Sequence, residues 1–472
     1  MSEHALERVF RPRSAALYGI SRNMQNRSNQ FFLRGLMDQG FHEAAPLYLV
    51  NPNAEEIAGL RCYPSLADCP DPVDYVISLV PALTAEGLVE ECIAKGVRAL
   101  HLYTGGFAEN LDPRRAELEQ RLIARARSAG LRVIGPNCMG LYHPAARMAF
   151  IPGHPKEAGD VSVVCQSGGN AMDIISGLAQ RGARFAKVVS FGNGTDLGAA
   201  ELLEYAAVDP EARIVLAYVE DTSGGRALFE ALRRCARAKP TIVLKGGISS
   251  AGARAARSHT ASLAGSHEVF TAACRQAGAA VVRSLDEMID LAVALSTRPR
   301  EVAGPRAVLL AVGGGFSVLT TDALAACGID LPELDGSTLA RLRELVPTDG
   351  NSIENPVDTG YMGEDAEAAL RAVTEAVAHD ANTDFVITML RGRDLPLDEQ
   401  RRTIEELADL QERAGKPIVV AARRDVGELA DEALRLAYER GVAVFPSPVS
   451  AGRAAGLLLE WRRQREGLPL LP

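Results

Sequence analysis

The sequence has no paired cysteines, no long apolar run and no excess of basic charge, and each absence excludes a class of protein. Its eight cysteines are scattered without a C-x-x-C pair, so we expect neither a disulfide framework nor a metal site, and a reducing compartment fits. No run of about twenty apolar residues is present to cross a membrane. The formal charge of −9 argues against nucleic-acid binding, because phosphate contacts need basic side chains.

The first residues, MSEHALERVFRPRS, include acids and no apolar h-region. We therefore expect no signal peptide and a cytoplasmic location. The chain has 472 residues, which suits about three domains of ~150 residues each.

Short apolar segments alternate with longer periodic segments in the first third of the chain. SAALYG, LYLVN, DYVISLV, RALHLY and LRVIG have the β-branched and aromatic content of strands. The alternation predicts βαβ units around a mostly parallel sheet. We expect a Rossmann-like α/β domain at residues 1–150, ending at the Pro- and Gly-containing stretch IPGHPKEAGD.

The rest of the chain contains an internal repeat. VSVVCQSGGNAMDIISGLAQRG (161–182) parallels AVLLAVGGGFSVLTTDALAACG (307–328), and later segments match in the same order. Two similar doubly wound α/β domains of the flavodoxin-like type are predicted, at 151–300 and 301–472. Only the first copy carries the segment around His259, so the fold itself does not need that segment.

The turn after the first strand reads YGISRNMQNRSNQ. Gly19, Ser21 and Arg22 precede a helix start, where backbone N–H groups can bind a phosphate. The turn is not G-x-G-x-x-G, and the second strand ends in Asn51 and Pro52 rather than in the acid that would hold an NAD ribose. NAD is therefore disfavoured, and coenzyme A remains possible with Arg22 or neighbouring arginines in reach. A polar turn without a ligand is an equal alternative.

The segment GPNCMG (135–140) follows the fifth strand, at the edge where open α/β sheets bind ligands. Cys138 has no histidine in its motif and lies among apolar residues, so a packed thiol is favoured over a nucleophile. The glycines and Asn137 suit backbone contact with an incoming ligand.

QSGGNAMD (166–173) places Ser167, Gly168 and Gly169 at a helix start, whose partial positive charge and N–H donors suit a phosphoryl group. An ordinary helix start is the alternative. Glu220 ends a strand of the same domain, in VEDTSGG. The "GGG" at 313–315 lacks the lysine of a phosphate loop, and we expect it to allow close helix packing.

His259 lies in GGISSAGARAARSHTASLAG (246–265), a segment of small residues. Such a segment has little steric resistance to moving, which suits a nucleophile that travels between two sites. An imidazole can attack a phosphoryl group if its other nitrogen is held by an acceptor. Glu220 is the candidate acceptor, and the donors at Ser167–Gly169 would stabilise the phosphohistidine.

These motifs carry a family resemblance. The chain resembles the CoA-binding alpha portion of the nucleoside-diphosphate-forming acyl-CoA synthetases and, more distantly, succinyl-CoA synthetase. VNPN, GPNCMG, QSGGNAM, SFGNGTD, AGARAARSHTASLAG, GGGFSVLTTDAL and NPVD look like family landmarks in family order.

The resemblance implies the reaction acid + CoA + ATP ⇌ acyl-CoA + ADP + phosphate, through an acyl phosphate and a phosphorylated His259 supported by Glu220. It implies a small carboxylic acid as substrate and CoA held by the first domain. The implied CoA contacts are Gly19, Ser21, Arg22, Asn51, Pro52, Val80, Pro81, Asn137 and Cys138.

Two departures from the family pattern matter. The first turn reads NMQNRSNQ where the family has a glycine-bearing segment such as GKVG. The ATP-grasp portion is missing, so ATP, ADP and Mg²⁺ are expected to act only through a separate ATP-grasp beta chain, in a hetero-oligomer or homodimer. A catalytically reduced CoA or acyl-CoA sensor or scaffold is the alternative function.

Overall fold

A computed structural model describes residues 4–110, 112–252, 254, 265–297, 302–311, 313–347, 349–360, 362, 366–389, 395–422 and 429–465. Three largely parallel sheets alternate with helices along the chain, which confirms the predicted α/β class. Two compact units divide the chain: residues 1–176 with 184–283, and residues 177–183 with 284–468.

The first sheet has seven strands in the order β3-β4-β2-β1-β5-β6-β7. All pairings are parallel except that of β3 with β4. Without β3 the order is that of the Rossmann fold, with its topological switch point between β1 and β5. The five predicted strands are present, and β3 and β4 were not predicted. The strands are β1 Ala15–Tyr18, β2 Leu47–Val50, β3 Glu56–Ile57, β4 Leu60–Tyr63, β5 Tyr75–Ser78, β6 Ala99–Leu102 and β7 Arg132–Ile134.

The second sheet has the order β13-β12-β11-β9-β10-β8. Its five parallel strands follow the flavodoxin-like order, with the switch point between β9 and β11. The edge strand β8, which begins at the last residue of GPNCMG, pairs antiparallel with β10. The strands are β8 Gly140–Tyr142, β9 Ala158–Cys165, β10 Phe185–Ser190, β11 Ile214–Val219, β12 Thr241–Lys245 and β13 Ala280–Val282.

The third sheet has the order β15-β14-β16-β17-β18, which is again flavodoxin-like and agrees with the sequence repeat. The prediction that Gly313–Gly315 allow close helix packing is wrong. These glycines are exposed, and among the described residues no atom lies within 4 Å of a Cβ on Gly313 or Gly315. The strands are β14 Ala307–Ala311, β15 Val357–Asp358, β16 Phe385–Met389, β17 Ile418–Ala421 and β18 Val444–Phe445.

In the described ranges, a short π-helix occupies Asn29–Leu33, and of the α-helices one precedes β1, one follows β18 and the others lie between strands. They are α1 Glu7–Phe10, α2 Arg34–Asp38, α3 Phe41–Ala44, α4 Ala85–Lys95, α5 Pro113–Ser128, α6 Gly168–Ala179, α7 Ala199–Val208, α8 Gly225–Ala238, α9 His267–Ala277, α10 Leu285–Ser296, α11 Gly314–Ala326, α12 Gly336–Leu345, α13 Ala366–Ala378, α14 Leu397–Ala414, α15 Asp431–Glu439 and α16 Pro448–Gln464. None of the helices in the described ranges is both long and apolar enough to cross a bilayer.

Helices α10 and α16, which occupy equivalent places in the two repeats, pack against each other in the second unit. Asp290 is fully buried on α10. Its carboxylate accepts hydrogen bonds from Arg181 at 2.5 Å, Ser450 Oγ at 2.6 Å and Arg453 Nε at 2.9 Å. A buried carboxylate without such donors would be strongly unfavourable, so this cluster fixes how the two helices meet.

Candidate functional site

The predicted CoA contacts lie where β1, β2, β5 and β7 of the first sheet end. Gly19 and Val80 meet at the switch point, because a Cβ on Gly19 would be 2.4 Å from Val80 Cγ1. Gly19 also has a φ of +83°, so glycine is required there for two reasons. Asn51 Nδ2 donates to Ile20 O at 2.7 Å and ties the ends of β1 and β2 together.

The first turn is held by its own side chains. Asn29, which is fully buried, accepts from the Ser21 amide at 3.3 Å and donates to Ser21 O at 2.6 Å. Ser21 Oγ accepts the Asn23 amide, and Asn23 Oδ1 accepts the Gln25 amide. Several backbone donors that could bind a phosphate are therefore already bonded within the turn.

The arginines of this turn still suit a phosphate-bearing ligand. Arg22 and Arg27 are exposed, and the Arg27 guanidinium lies 5.1 Å from the Phe31 ring centroid. Guanidinium groups form strong charge-assisted hydrogen bonds with phosphate. The turn therefore offers a phosphate-bearing ligand its guanidinium groups more readily than its amides.

The GPNCMG turn is held tightly. Asn137 has a φ of +60°, and its amide donates to Thr104 O at 3.3 Å. Cys138 is 4% exposed, and burial raises the pKa of its thiol far above the usual range. The predicted packed thiol is confirmed. His101 lies under the turn with Nε2 3.1 Å from Cys138 O, and burial lowers the pKa of His101 to about 4.

The same turn packs directly on the start of α6. A Cβ on Gly168 would lie 2.6 Å from Met139 Cγ, whereas for one on Gly169 the nearest described atom is Ser167 Oγ, at 3.9 Å. The end of the first sheet and the helix predicted to bind phosphate are therefore neighbours in the first unit.

Gln166 joins the start of α6 to the strand that ends in Glu220. It follows β9, is 2% exposed, and its Oε1 accepts the amides of Glu220 at 2.8 Å and Asp221 at 3.0 Å. The switch point of the second sheet lies between β9 and β11, which is where such sheets bind ligands.

Tyr218 and Lys245 complete this strand end. The Tyr218 hydroxyl donates to Glu220 Oε1 at 3.0 Å, and it is also hydrogen-bonded by Asn170 in the first turn of α6. Burial, followed by the Glu220 charge, raises the pKa of Tyr218. Lys245 Nζ donates to Glu220 O at 2.8 Å, and burial lowers the Lys245 pKa.

His259 itself lies outside the described residues. Both ends of its segment, however, lie against the Glu220 strand end. A Cβ on Gly246 would be 2.5 Å from the Tyr218 hydroxyl and 3.0 Å from Glu220 Cγ. A Cβ on Gly265 would be 2.7 Å from Thr222 Oγ1.

The structure therefore brings Glu220 together with Ser167–Gly169, and Asn137 with the same helix start through Met139. Gln166, Tyr218 and Asn170 were missed by sequence reasoning. Gln166 and Asn170 lie directly beside the predicted Ser167–Gly169 motif, and Tyr218 is two residues before Glu220, so that both side chains lie on the same face of the strand. Closeness in sequence to the predicted site residues is the signal that could have identified all three.

Two family models match the chain. A CoA-binding domain matches residues 13–144. A succinyl-CoA ligase-like flavodoxin domain matches residues 158–295. Together they cover the first two sheets.

Whole-length relatives agree. The ADP-forming acetate–CoA ligase II subunit alpha of Pyrococcus furiosus is 31% identical, over 96% of this chain and 97% of the relative. The ADP-forming acetate–CoA ligase I of Archaeoglobus fulgidus is 33% identical over 96% of this chain, but this chain spans only 63% of its length. The solved structure of acetyl-coenzyme A synthetase 1 from Ca. Korarchaeum cryptofilum, in complex with phosphate and ADP, is 31% identical with a TM-score of 0.78, over 98% of this chain and 99% of that one.

Proposed function

Because the chain belongs to the ADP-forming acetate–CoA ligase family, we propose that it is the CoA-binding, phosphohistidine-carrying alpha subunit of an acid–CoA ligase. The proposed reaction converts a small carboxylic acid, CoA and ATP to acyl-CoA, ADP and phosphate. The observation that carries the proposal is that the GPNCMG turn, the start of α6 and Glu220 lie together at the carboxyl ends of two sheets, with both ends of the His259 segment beside them.

CoA is proposed to bind at the carboxyl edge of the first sheet, along the ends of β1, β2, β5 and β7. Arg22 would hold its phosphates through the guanidinium, since the turn's amides are largely bonded to Asn29 and Asn23. Thr104 joins Val80 to Asn137, because its hydroxyl donates to Val80 O and its carbonyl accepts the Asn137 amide. A ligand bound along Val80, Pro81 and Asn137 would therefore approach α6. Bound CoA would supply the thiol that takes the acyl group.

His259 is proposed to carry the phosphoryl group. Glu220 would accept a hydrogen bond from one ring nitrogen and leave the other as the nucleophile. Its carboxylate is already oriented by the Tyr218 hydroxyl at 3.0 Å. The N–H groups at Ser167–Gly169 would stabilise the phosphoryl oxygens, because a helix start carries partial positive charge.

ATP, ADP and Mg²⁺ are proposed to act through a separate ATP-grasp beta subunit. The beta subunit would phosphorylate His259, which then transfers the phosphoryl group to the acid. CoA displaces phosphate from the resulting acyl phosphate. A hetero-oligomer follows from this division of labour, and residues 1–150, 151–300 and 301–472 are proposed as the three domains of the alpha chain.

The reverse half-reaction tests the proposal without the partner. Incubated with acetyl-CoA and [³²P]phosphate, the chain should form acetyl phosphate and CoA, and His259 should then take the labelled phosphoryl group and release acetate. His259→Ala should take no label, whereas His267→Ala, at a nearby histidine, should be labelled like the wild type. Labelled ATP should act only when an ATP-grasp chain is added. Label that persists in His259→Ala would overturn the phosphohistidine assignment.

The alternative function is a CoA or acyl-CoA sensor or scaffold without ligase activity. It is favoured by the first turn, whose amides are bonded to side chains of the turn itself. Measurable CoA affinity together with an unlabelled wild-type chain, with and without an ATP-grasp partner, would favour this alternative over the ligase.

A further inference from the structure

The segment SFGNGTD (190–196) begins at the last residue of β10 and contacts the loops of the first sheet. A Cβ on Gly192 would lie 2.2 Å from Pro136 O, so the two backbones touch there. At its far end, the buried Asp196 carboxylate accepts the Val133 amide at 2.7 Å. The function proposed above gives this contact no role.

Asn193, in the middle of the segment, lies between two carboxylates. Its Nδ2 is 2.8 Å from Glu109 Oε2 and 3.2 Å from Glu119 Oε2, so each carboxylate receives one hydrogen from the same nitrogen. Its backbone amide donates to Pro136 O at 3.0 Å, which fixes its position. Since ionised carboxylates only accept, the amide orientation is determined, with Nδ2 toward both carboxylates.

Glu109 links Asn193 to the loop after β6 through hydrogen bonds. Its Oε1 accepts the amides of Gly106 and Phe107. A Cβ on Gly105 would lie 2.8 Å from Glu109 Oε1 and 3.4 Å from Asn137 Oδ1. The carboxylate that Asn193 holds therefore shapes the loop that borders Asn137.

We propose that Asn193 is a positioning residue for acyl transfer: through Glu109 it holds the Gly105–Phe107 loop against Asn137, where the thiol of CoA meets the acyl group. This inference rests on the proposed function. Asn193 touches no reacting atom. Its role is to supply two N–H donors from one nitrogen, which neither alanine nor aspartate can do.

Asn193→Ala leaves Glu109 and Glu119 facing each other without a shared donor, so the loop should shift. A misplacement of about 1 Å near the reacting atoms can cost on the order of 100-fold in rate. We expect labelling of His259 from acetyl-CoA and [³²P]phosphate to slow by about 10–100-fold at saturating acetyl-CoA, with KM for acetyl-CoA changed less than the rate.

Acetyl [³²P]phosphate enters after the CoA step, because it donates its phosphoryl group directly to His259 and releases acetate. Asn193→Ala should therefore accept label from acetyl phosphate at the wild-type rate. A merely structural role would slow both reactions. Thr195→Val is the matched control: it removes the Thr195 hydroxyl bond to Glu119 on the same segment and should leave both rates near those of the wild type.

If Asn193→Ala is slowed equally with both donors, or with neither, the inference is wrong. Should that variant fail to fold, Glu109→Gln gives the same comparison. One of the two carboxylate oxygens becomes an NH2 group, which cannot accept a hydrogen bond, so the variant loses the bond either from Asn193 Nδ2 or from the loop amides. A wild-type acetyl-CoA rate in Glu109→Gln would also overturn the inference. A wild-type chain that takes label from neither donor contradicts the proposed function itself, which is a distinct outcome.

Discussion

Gln166 Oε1 accepts hydrogen bonds from the backbone amides of Glu220 and Asp221, at 2.8 and 3.0 Å. Gln166 follows β9 and Glu220 follows β11, the two strands that flank the switch point of the second sheet. One side chain thus fixes the start of α6, the helix proposed to bind phosphate, relative to the carboxylate proposed to orient His259.

Gln166→Ala should weaken both the fold and the proposed reaction. Two amides lose their shared acceptor, at a cost of about 1–3 kcal/mol for an unsatisfied buried group. We expect a lower urea midpoint and at least a tenfold loss of His259 labelling, on the order of 1.4 kcal/mol. Gln166→Glu keeps an acceptor of the same reach, so it should retain more stability. Equal stability of the Ala variant and the wild type would contradict this role.

Gly168 and Gly336 offer a matched pair, because each is the first residue of its helix, α6 or α12. Gly168→Ala places a methyl group 2.6 Å from Met139 Cγ, so the GPNCMG turn must give way, whereas no described atom lies within 4 Å of a Cβ on Gly336. We expect Gly168→Ala to slow labelling from acetyl-CoA and phosphate several-fold, as ~1 kcal/mol of lost alignment would, and Gly336→Ala to change it little. The ratio of the two rates in one assay measures the effect. Indistinguishable variants would mean that contact between the turn and the helix does not matter for the reaction.

Sequence reasoning located the strand ends because apolar segments bounded by glycines, asparagines and prolines are local signals. The motifs at Gly19, Asn51, Asn137, Gly168 and Glu220 all follow strands in the structure. The internal repeat likewise predicted two similar domains, and their sheets have the same strand order.

What the sequence could not supply was which strand ends become neighbours. The bond from Gln166 to Glu220 depends on β9 lying beside β11, and the contact between Asn193 and Glu109 joins residues of different sheets. The packing prediction for Gly313–Gly315 was wrong for a related reason. A run of glycines is compatible both with close helix packing and with an exposed backbone, and only the residues around it in the fold determine which of the two occurs.

Asp290 should be among the residues most important for the stability of the second unit. It is fully buried and paired with Arg181, Ser450 and Arg453, so Asp290→Ala leaves two guanidinium groups without their carboxylate. Removing one partner of a buried ion pair costs about 3–5 kcal/mol. Urea unfolding gives the measurement.

Asp409→Ala is the control for that experiment. Its carboxylate is 2.7 Å from Arg440, but the pair is exposed, with 59% of the Asp409 side chain accessible. Exposed pairs contribute about 0–1 kcal/mol. Comparable losses in the two variants would show that the Asp290 cluster does not stabilise the packing of α10 on α16.

His101 makes the stability of the first unit depend on pH. Burial lowers its pKa to about 4, against about 6.5 in an unfolded chain, so between these values the unfolded chain binds a proton that the folded chain does not. Stability from this residue is therefore present above about pH 6.5 and is lost as the pH falls toward 4, with a slope of up to ~1.4 kcal/mol per pH unit. His101→Gln keeps a side-chain N–H for Cys138 O, 3.1 Å from His101 Nε2, and removes the titrating ring. Urea unfolding at pH 7, 6 and 5 should thus show a steeper loss of stability in the wild type than in His101→Gln. If the free energy of unfolding fell with pH equally in both proteins, the ring would take up its proton without opening the turn above it.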